Sequence, residues 1–126
     1  MEGEYHSISN TWYNNGNIKG TCTHVEGEEE GDELAFYINN KYESRTRYKK
    51  GKKHGKEESW YDVTSKPKYS CRYINGCKHG FEKSWYPNNQ IQQSCKWNNG
   101  RKNGLEKIWD KSGKLTFQRE WVASKV

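Results

Sequence analysis

The sequence predicts an all-β protein, a single-layer antiparallel ribbon of β-hairpin repeats, and three observations lead to this fold class. First, a glycine recurs every 24 or 25 residues along almost the whole chain, a period typical of stacked arrays in which each unit contacts only its neighbours. Second, apolar and polar residues alternate between turns, and no stretch has helical spacing, so we expect essentially no helix. Third, Asn-Gly, a strong hairpin signal, recurs at 75–76 and 99–100.

Two aromatic columns keep the same register as the glycines, and together we call them the aromatic ladder. The first column is Trp12, Phe36, Trp60, Trp85 and Trp109. The second column starts with a histidine, His24, and continues as Tyr48, Tyr73, Trp97 and Trp121. The chain is only 30% hydrophobic but 14% aromatic, too polar for a two-layer core. We therefore expect the ladder to line one face of a thin sheet, as a core or a partner-binding surface.

The register assigns almost the whole chain to one domain. The repeat array runs over residues 3–121 and leaves a C-terminal tail, 122–126. We place the five units at 3–26, 27–50, 51–75, 76–99 and 100–121. One extra residue falls in Thr64–Pro67, where a turn can absorb it.

Alternation also predicts which side chains share a face. Within the fourth unit, it puts Trp85 and Glu82 on opposite faces. In the strand that follows, it puts Ile91 on the same face as Cys95 and Trp97. Two strands per unit predict about ten strands in an up-and-down meander.

The unit at residues 73–86, Y-I-N-G-C-K-H-G-F-E-K-S-W-Y, resembles a MORN repeat. It is most similar to the variant repeat of bacterial antitoxin-like proteins and of giant DNA viruses. The resemblance covers nearly the whole chain and implies a stacked hairpin ribbon that serves as a scaffold for protein contact and, in some members, for membrane contact. The Asn- and Lys-rich units look more like the viral copies, which implies a viral structural or accessory protein. Antitoxin-like binding of a partner protein is an alternative that the same resemblance implies.

Charge is unevenly distributed along the chain. Residues 1–33 hold one lysine and eight acidic residues, a net charge of −7, and the remainder holds 21 basic and 8 acidic residues, a net charge of +13. Equivalent turns in the basic part predict a cationic edge, which consists of Lys49, Lys50, Lys52, Lys53, Lys78, Arg101 and Lys102. This basic edge could bind an acidic partner, an anionic membrane or nucleic acid. Lysines also guard sheet edges against aggregation, and the lack of a recognition helix or RNA-stacking motif disfavours nucleic acid.

No pattern in the sequence points to catalysis, so we expect neither an enzyme nor a small-molecule substrate. Cys71 and Cys95 lie one unit apart, about 10 Å, which exceeds the Cα separation of a disulfide. No cysteine pair has zinc-ligand spacing, and we expect no metal and no cofactor. Recurring glutamates are explained by cross-strand ion pairs, and they form the column Glu33, Glu57, Glu82 and Glu106.

Free cysteines and the absence of an apolar leader or a long apolar run predict a location in the cytoplasm, a virus factory or a virion, neither secreted nor membrane-spanning. The expected function is a non-enzymatic repeat scaffold that mediates protein–protein contact or self-association. A homo-oligomer formed through the aromatic ladder is the first expectation. Peripheral binding to an anionic membrane or nucleic acid through the basic edge is the alternative.

Overall fold

A computed structural model describes residues 5–122, which form one open antiparallel sheet of 13 strands and contain no helix. Ten strands follow one another in a meander, and three two-residue strands pair beside them. The strands are β1 His6–Trp12, β2 Ile18–Val25, β3 Glu28–Glu29, β4 Gly31–Phe36, β5 Tyr42–Lys49, β6 Lys52–Trp60, β7 Pro67–Ile74, β8 Cys77–Lys78, β9 Gly80–Trp85, β10 Ile91–Asn98, β11 Arg101–Lys102, β12 Gly104–Trp109 and β13 Leu115–Trp121.

The predicted all-β single-layer ribbon is therefore confirmed. The unit boundaries remain predictions, and residues 3–4 of the first unit and 123–126 of the tail lie outside the described residues. The three short strands arise where β3, β8 and β11 are each separated from the next strand by one residue. In the third unit, β6 runs through the equivalent position without a break.

Two-residue turns along one long edge of the ribbon set the strand register. At 75–76 and 99–100, both the asparagine and the glycine have positive φ, between 47° and 86°. Positive φ at both central residues is the signature of a type I′ turn, whose twist matches that of the paired strands. Glu26 and Lys50 take the asparagine position in two further turns, with φ of 52° and 51°.

A β-bulge near the other edge corrects one face assignment. Ile91 pairs with Trp85 and Cys95 pairs with Glu82, and the register shifts between Ile91 and Gln93. Trp85 and Glu82 therefore lie on opposite faces, as predicted. The prediction for Ile91 is wrong, because the extra residue in the bulge inverts the alternation and places Ile91 on the face opposite Cys95.

The sheet has two chemically different faces. The glutamate face carries Glu57, Glu82 and Glu106, and the cationic face carries Arg45, Arg47, Lys56, Arg72 and Lys83. Because the sheet is a single layer, most side chains are half-buried or exposed. The five described residues that are buried all lie on the glutamate face, and they are Thr46, Cys71, Glu82, Cys95 and Glu106. Cross-strand pairing joins Thr46 to Cys71 through Glu57 and joins Glu82 to Cys95, so the core consists of small and acidic side chains on this face.

Candidate functional site

The centre of the glutamate face is a hydrogen-bonded cluster around Glu82. One carboxylate oxygen accepts from Lys78 Nζ at 2.7 Å and from the Tyr69 hydroxyl at 2.6 Å, and the other accepts from Trp97 Nε1 at 2.9 Å. The ammonium group of Lys78 also lies 4.8 Å from the centroid of the Trp97 ring. This carboxylate is only 8% exposed, and the three donors offset the cost of removing its charge from water.

The same cluster recurs in the last unit around Glu106. Its carboxylate accepts from Lys102 Nζ at 3.0 Å and from Trp121 Nε1 at 2.8 Å. In the third unit Lys53 pairs with Glu57 at 3.3 Å and lies 5.1 Å from the Tyr73 ring centroid. A cation, a carboxylate and an aromatic ring are thus repeated structural parts of the array.

A local bulge brings each lysine to a glutamate four residues later. In a regular strand this spacing would separate the two Cα atoms by about 13 Å. Here Lys78 pairs with Tyr73, whereas Lys83 pairs with Ser70, so five steps along β8 and β9 face three steps along β7. The excess is taken up at Gly80, whose φ of 87° is left-handed. Left-handed glycines at the equivalent positions, Gly55 and Gly104, accompany the other two Lys–Glu pairs.

Ionisation of the cluster follows from its contacts. Burial alone would raise the pKa of Glu82, but hydrogen bonds from Lys78, Tyr69 and Trp97 outweigh it and lower that pKa. The hydrogen bond from Trp121, followed by that from Lys102, lowers the pKa of Glu106. Both carboxylates are therefore charged at neutral pH.

The neighbouring hydroxyl and thiols are pushed towards their neutral forms. Burial, with the hydrogen bond to Glu82, raises the pKa of the Tyr69 hydroxyl, so the group stays a donor. Burial likewise raises the pKa of the Cys71 and Cys95 thiols. Such thiols are poor nucleophiles because the reactive form is the thiolate. The cluster holds charges in place and has the character of a structural motif.

The basic edge predicted from the sequence splits into two groups. Lys53, Lys78 and Lys102 are ion-paired to the glutamates of their own units and are only about a third exposed. The sequence suggested free cations at these positions, whereas the structure neutralises them. Lys49 and Lys52 are exposed and lie directly opposite each other. The remaining members of the edge, Lys50 and Arg101, are also exposed.

The acidic second unit breaks the Lys–Glu pattern. Glu29 occupies the position of the paired lysines, and Glu33, four residues later, is exposed. Burial, followed by the charge of Glu33, raises the pKa of Tyr48, the equivalent ring. Without a lysine partner, the carboxylate of Glu33 is exposed to solvent. This contrast supports the view that the paired lysine allows the equivalent glutamates of the other units to be buried.

The aromatic ladder does not line one face. Trp97 and Trp121 lie on the glutamate face, opposite Gly80 and Gly104, as do Tyr48 and Tyr73. The cross-strand register places the first column on the face opposite the second column. The residues placed there are Phe36, Trp60, Trp85 and Trp109. Trp12 belongs to the first column and is 60% exposed. The ladder therefore forms two rows on opposite faces of the sheet, and only the row of the first column lies on the cationic face.

A second set of tyrosines, which the sequence reasoning missed, ties the units together. Each hydroxyl donates to a main-chain carbonyl in the next unit, over distances between 2.6 and 2.8 Å. The donors are Tyr13, Tyr37, Tyr61 and Tyr86, and the acceptors are the carbonyls of Phe36, Trp60, Trp85 and Trp109. The signal was visible as a tyrosine directly after the first aromatic column, with Asp110 in its place in the last unit.

Sequence reasoning also missed the cationic face. Arg45 pairs with Glu58 at 3.1 Å, and Arg47 lies 3.4 Å from Asp32. Lys56 and Arg72 are directly opposite each other on neighbouring strands. The signal was a basic residue immediately before the second aromatic column, at Arg47, Arg72 and Lys96. These cations lie on the face opposite the ion-paired lysines.

Chemistry that needs convergent ligands finds little support in this geometry. Among residues 5–122, no group of three or more His, Cys, Asp or Glu side chains could hold a metal ion. The four cysteines, Cys22, Cys71, Cys77 and Cys95, are free thiols. The described part of the chain also contains no helix long and apolar enough to cross a membrane. What the arrangement offers is an extended surface with fixed charges.

Comparison with known proteins supplies no neighbour. No protein-family model matches the chain, and neither a curated protein nor a solved structure matches it. The case for a function therefore rests on the two faces of the ribbon.

Proposed function

We propose that this chain is a non-enzymatic repeat scaffold that contacts another protein through its cationic face. The observation that carries the proposal is the contrast between the two faces. On the glutamate face, the carboxylates of Glu82 and Glu106 are satisfied within the chain. On the cationic face, a row of cations lies beside the first aromatic column, and no second layer covers either of them in the described residues.

The composition of this face supports protein contact. Trp60 and Tyr42 form a tilted ring pair at 6.0 Å, and Tyr42 stacks on Phe36 at 5.0 Å. Phe81 is 55% exposed and has the ammonium groups of Lys83 and Lys96 within 6 Å of its ring. Aromatic side chains and arginine are enriched in protein interfaces, whereas isolated exposed apolar residues are ordinary.

Other parts of the proposal rest on the sequence. The MORN-type assignment, and with it a viral structural or accessory role or antitoxin-like binding, is supported by the resemblance of the repeated unit. A reducing, intracellular compartment is supported by the free thiols. The alternative function, attachment to an anionic membrane or nucleic acid, is supported by the exposed group Lys49, Lys50 and Lys52.

Charge reversal on each surface tests the proposal. The immobilised protein is used to capture partners from extracts of the cells that express it, with mass spectrometry as the readout. The face variant is Lys56→Glu/Arg72→Glu/Lys96→Glu, and the edge variant, its matched control, is Lys49→Glu/Lys50→Glu/Lys52→Glu. We expect the face variant to lose the captured protein and the edge variant to retain it. Retention by both variants would overturn the proposal, and loss with the edge variant alone would favour anion binding at that edge.

A further inference from the structure

The cationic face contains an open depression of about 280 Å³ lined by Asp32, Arg45, Arg47, Lys56 and Arg72. Four of these five side chains are cationic. Lys56 and Arg72 are direct cross-strand partners, an arrangement that is destabilising when like charges face each other. An anionic occupant would relieve this repulsion.

The carboxylates of the chain do not neutralise the positive charge of the depression. Arg45 is paired with Glu58 at 3.1 Å and Arg47 with Asp32 at 3.4 Å. In the described part of the chain, no carboxylate forms an ion pair with Lys56 or Arg72. Arginine presents a planar fork of donors that binds a carboxylate through two hydrogen bonds. The depression is therefore suited to carboxylate side chains, the same chemistry that two of its cations already bind.

The same chain carries a complementary group on its long edge. Residues 26–30, Glu-Gly-Glu-Glu-Glu, form the type I′ turn between β2 and β3, the strand β3 and the residue before β4; we call them the acidic turn. Glu26 and Glu28 are exposed. Two of the turn's carboxylates accept from main-chain nitrogens, Glu26 from Tyr5 at 2.8 Å and Glu30 from Lys50 at 3.2 Å. Within residues 5–122, no lysine or arginine side chain forms an ion pair with the turn.

We propose that the depression binds the acidic turn of a second copy of this chain. This inference rests on the proposed function, protein contact through the cationic face, and names a partner for it. The contact joins two different surfaces, so it is heterologous and extends into rings or open chains of ribbons. The charge separation of the sequence, −7 over residues 1–33 and +13 over the rest, favours encounter between the acidic turn of one copy and the basic part of another.

Reversing each surface separately, and then mixing the products, tests the contact. The depression variant is Lys56→Glu/Arg72→Glu, which removes no native ion pair and keeps like charges opposite each other. The turn variant is Glu28→Lys/Glu29→Lys. A control, Lys83→Glu/Lys107→Glu, makes the same change in charge on the same face outside the depression. Circular dichroism and urea unfolding verify that each variant is folded, and sedimentation velocity measures its assembly.

We expect the wild-type chain and the control to self-associate at low salt and to dissociate at about 0.5 M salt, where exposed charges are largely screened. The depression and turn variants should each lose association alone. An equimolar mixture of the two should form a 1:1 complex and no larger assembly, because each pair offers one intact depression and one intact acidic turn. A wild-type monomer at low salt, association that survives in either variant, or a mixture that stays monomeric would overturn the inference.

The two proposals fail in different experiments. If the wild-type chain stays monomeric but the cationic face still captures another protein from extract, the second copy is wrong as the partner and the proposed function stands. If extract capture is insensitive to the face variant while the mixture forms the 1:1 complex, the face serves self-association alone.

Discussion

The indole nitrogen of Trp97 donates to the carboxylate of Glu82 at 2.9 Å, across the boundary between β9 and β10. Trp121 repeats the contact with Glu106 at 2.8 Å. The Trp97 ring thus lies against the ammonium of Lys78, 4.8 Å from its centroid, and donates to the carboxylate that pairs with this lysine. This double role explains why a tryptophan, which is large and keeps a polar atom, occupies the second aromatic column in the units with buried glutamates.

Glu82→Ala should destabilise the protein by about 2–4 kcal/mol. The substitution leaves the ammonium of Lys78, the indole of Trp97 and the hydroxyl of Tyr69 without their shared acceptor, and unsatisfied partially buried donors are costly. The free energy of unfolding in urea measures the effect. Glu120→Ala, an exposed glutamate on the opposite face, is the control and should cost less than about 0.5 kcal/mol. Equal losses would contradict the cluster.

Stability should fall in acid because of the same carboxylates. The folded chain holds the pKa of Glu82 and Glu106 below the ordinary value of 4.5, so between those lowered values and 4.5 the unfolded chain binds more protons. Their contribution is fully present above that window and is lost as the pH falls through it. Urea unfolding across this range should show a shallower decline for Glu82→Gln/Glu106→Gln than for wild type, from a lower starting stability. Parallel curves would assign the acid sensitivity to other groups.

Tyr61→Phe should cost about 1 kcal/mol, the usual net value of a hydrogen bond. The substitution removes only the hydroxyl that donates to the Trp85 carbonyl at 2.6 Å and keeps the ring. Tyr42→Phe is the matched control. Because Tyr42 is 53% exposed, loss of its hydroxyl should change the urea midpoint little. An unchanged midpoint for Tyr61→Phe would mean that the links between units carry no net stability.

Gly80→Ala should cost about 1–2 kcal/mol through backbone strain. Its φ is 87°, and an added Cβ would have no atom within 4 Å, so the penalty comes from the left-handed conformation and not from a clash. Gly80→Asn should lose less, because asparagine tolerates this region better. Thermal unfolding of the two variants measures the difference. The opposite ranking would show that strain does not decide this position.

Repetition made the fold predictable. The glycine spacing and the Asn-Gly turns at 75–76 and 99–100 are local signals, and each is tested by several copies in one chain. The face of Ile91 was not predictable, because a bulge adds one residue without leaving a mark in the hydrophobic pattern. The Lys78–Glu82 pair was not predictable for a related reason. Residues four apart in a regular strand are too distant to form an ion pair, and the left-handed conformation of Gly80 brings these two side chains together.

The cationic face was hard to predict because the most obvious basic residues in the sequence are the runs of lysine beside the turns. Of these, Lys53, Lys78 and Lys102 are neutralised by ion pairs with glutamates, and these pairs become visible only once the strand register is known. Arg47 and Arg72 are single basic residues within alternating strands. Their significance depends on what faces them across the sheet, which is Asp32 for Arg47 and Lys56 for Arg72, and this pairing is not visible in either strand alone.

The tyrosine hydrogen bonds between neighbouring units predict that the ribbon unfolds stepwise. Each link spans 23 or 24 residues and joins one unit to the next, so no contact of this kind couples distant units. Opening should therefore propagate from the ends inward, one unit at a time, and a weakened central link such as that of Tyr61 should divide the ribbon into two blocks that melt separately. Amide protons in β6 and β7 should be the slowest to exchange in the wild-type chain and lose that rank when the central link is cut.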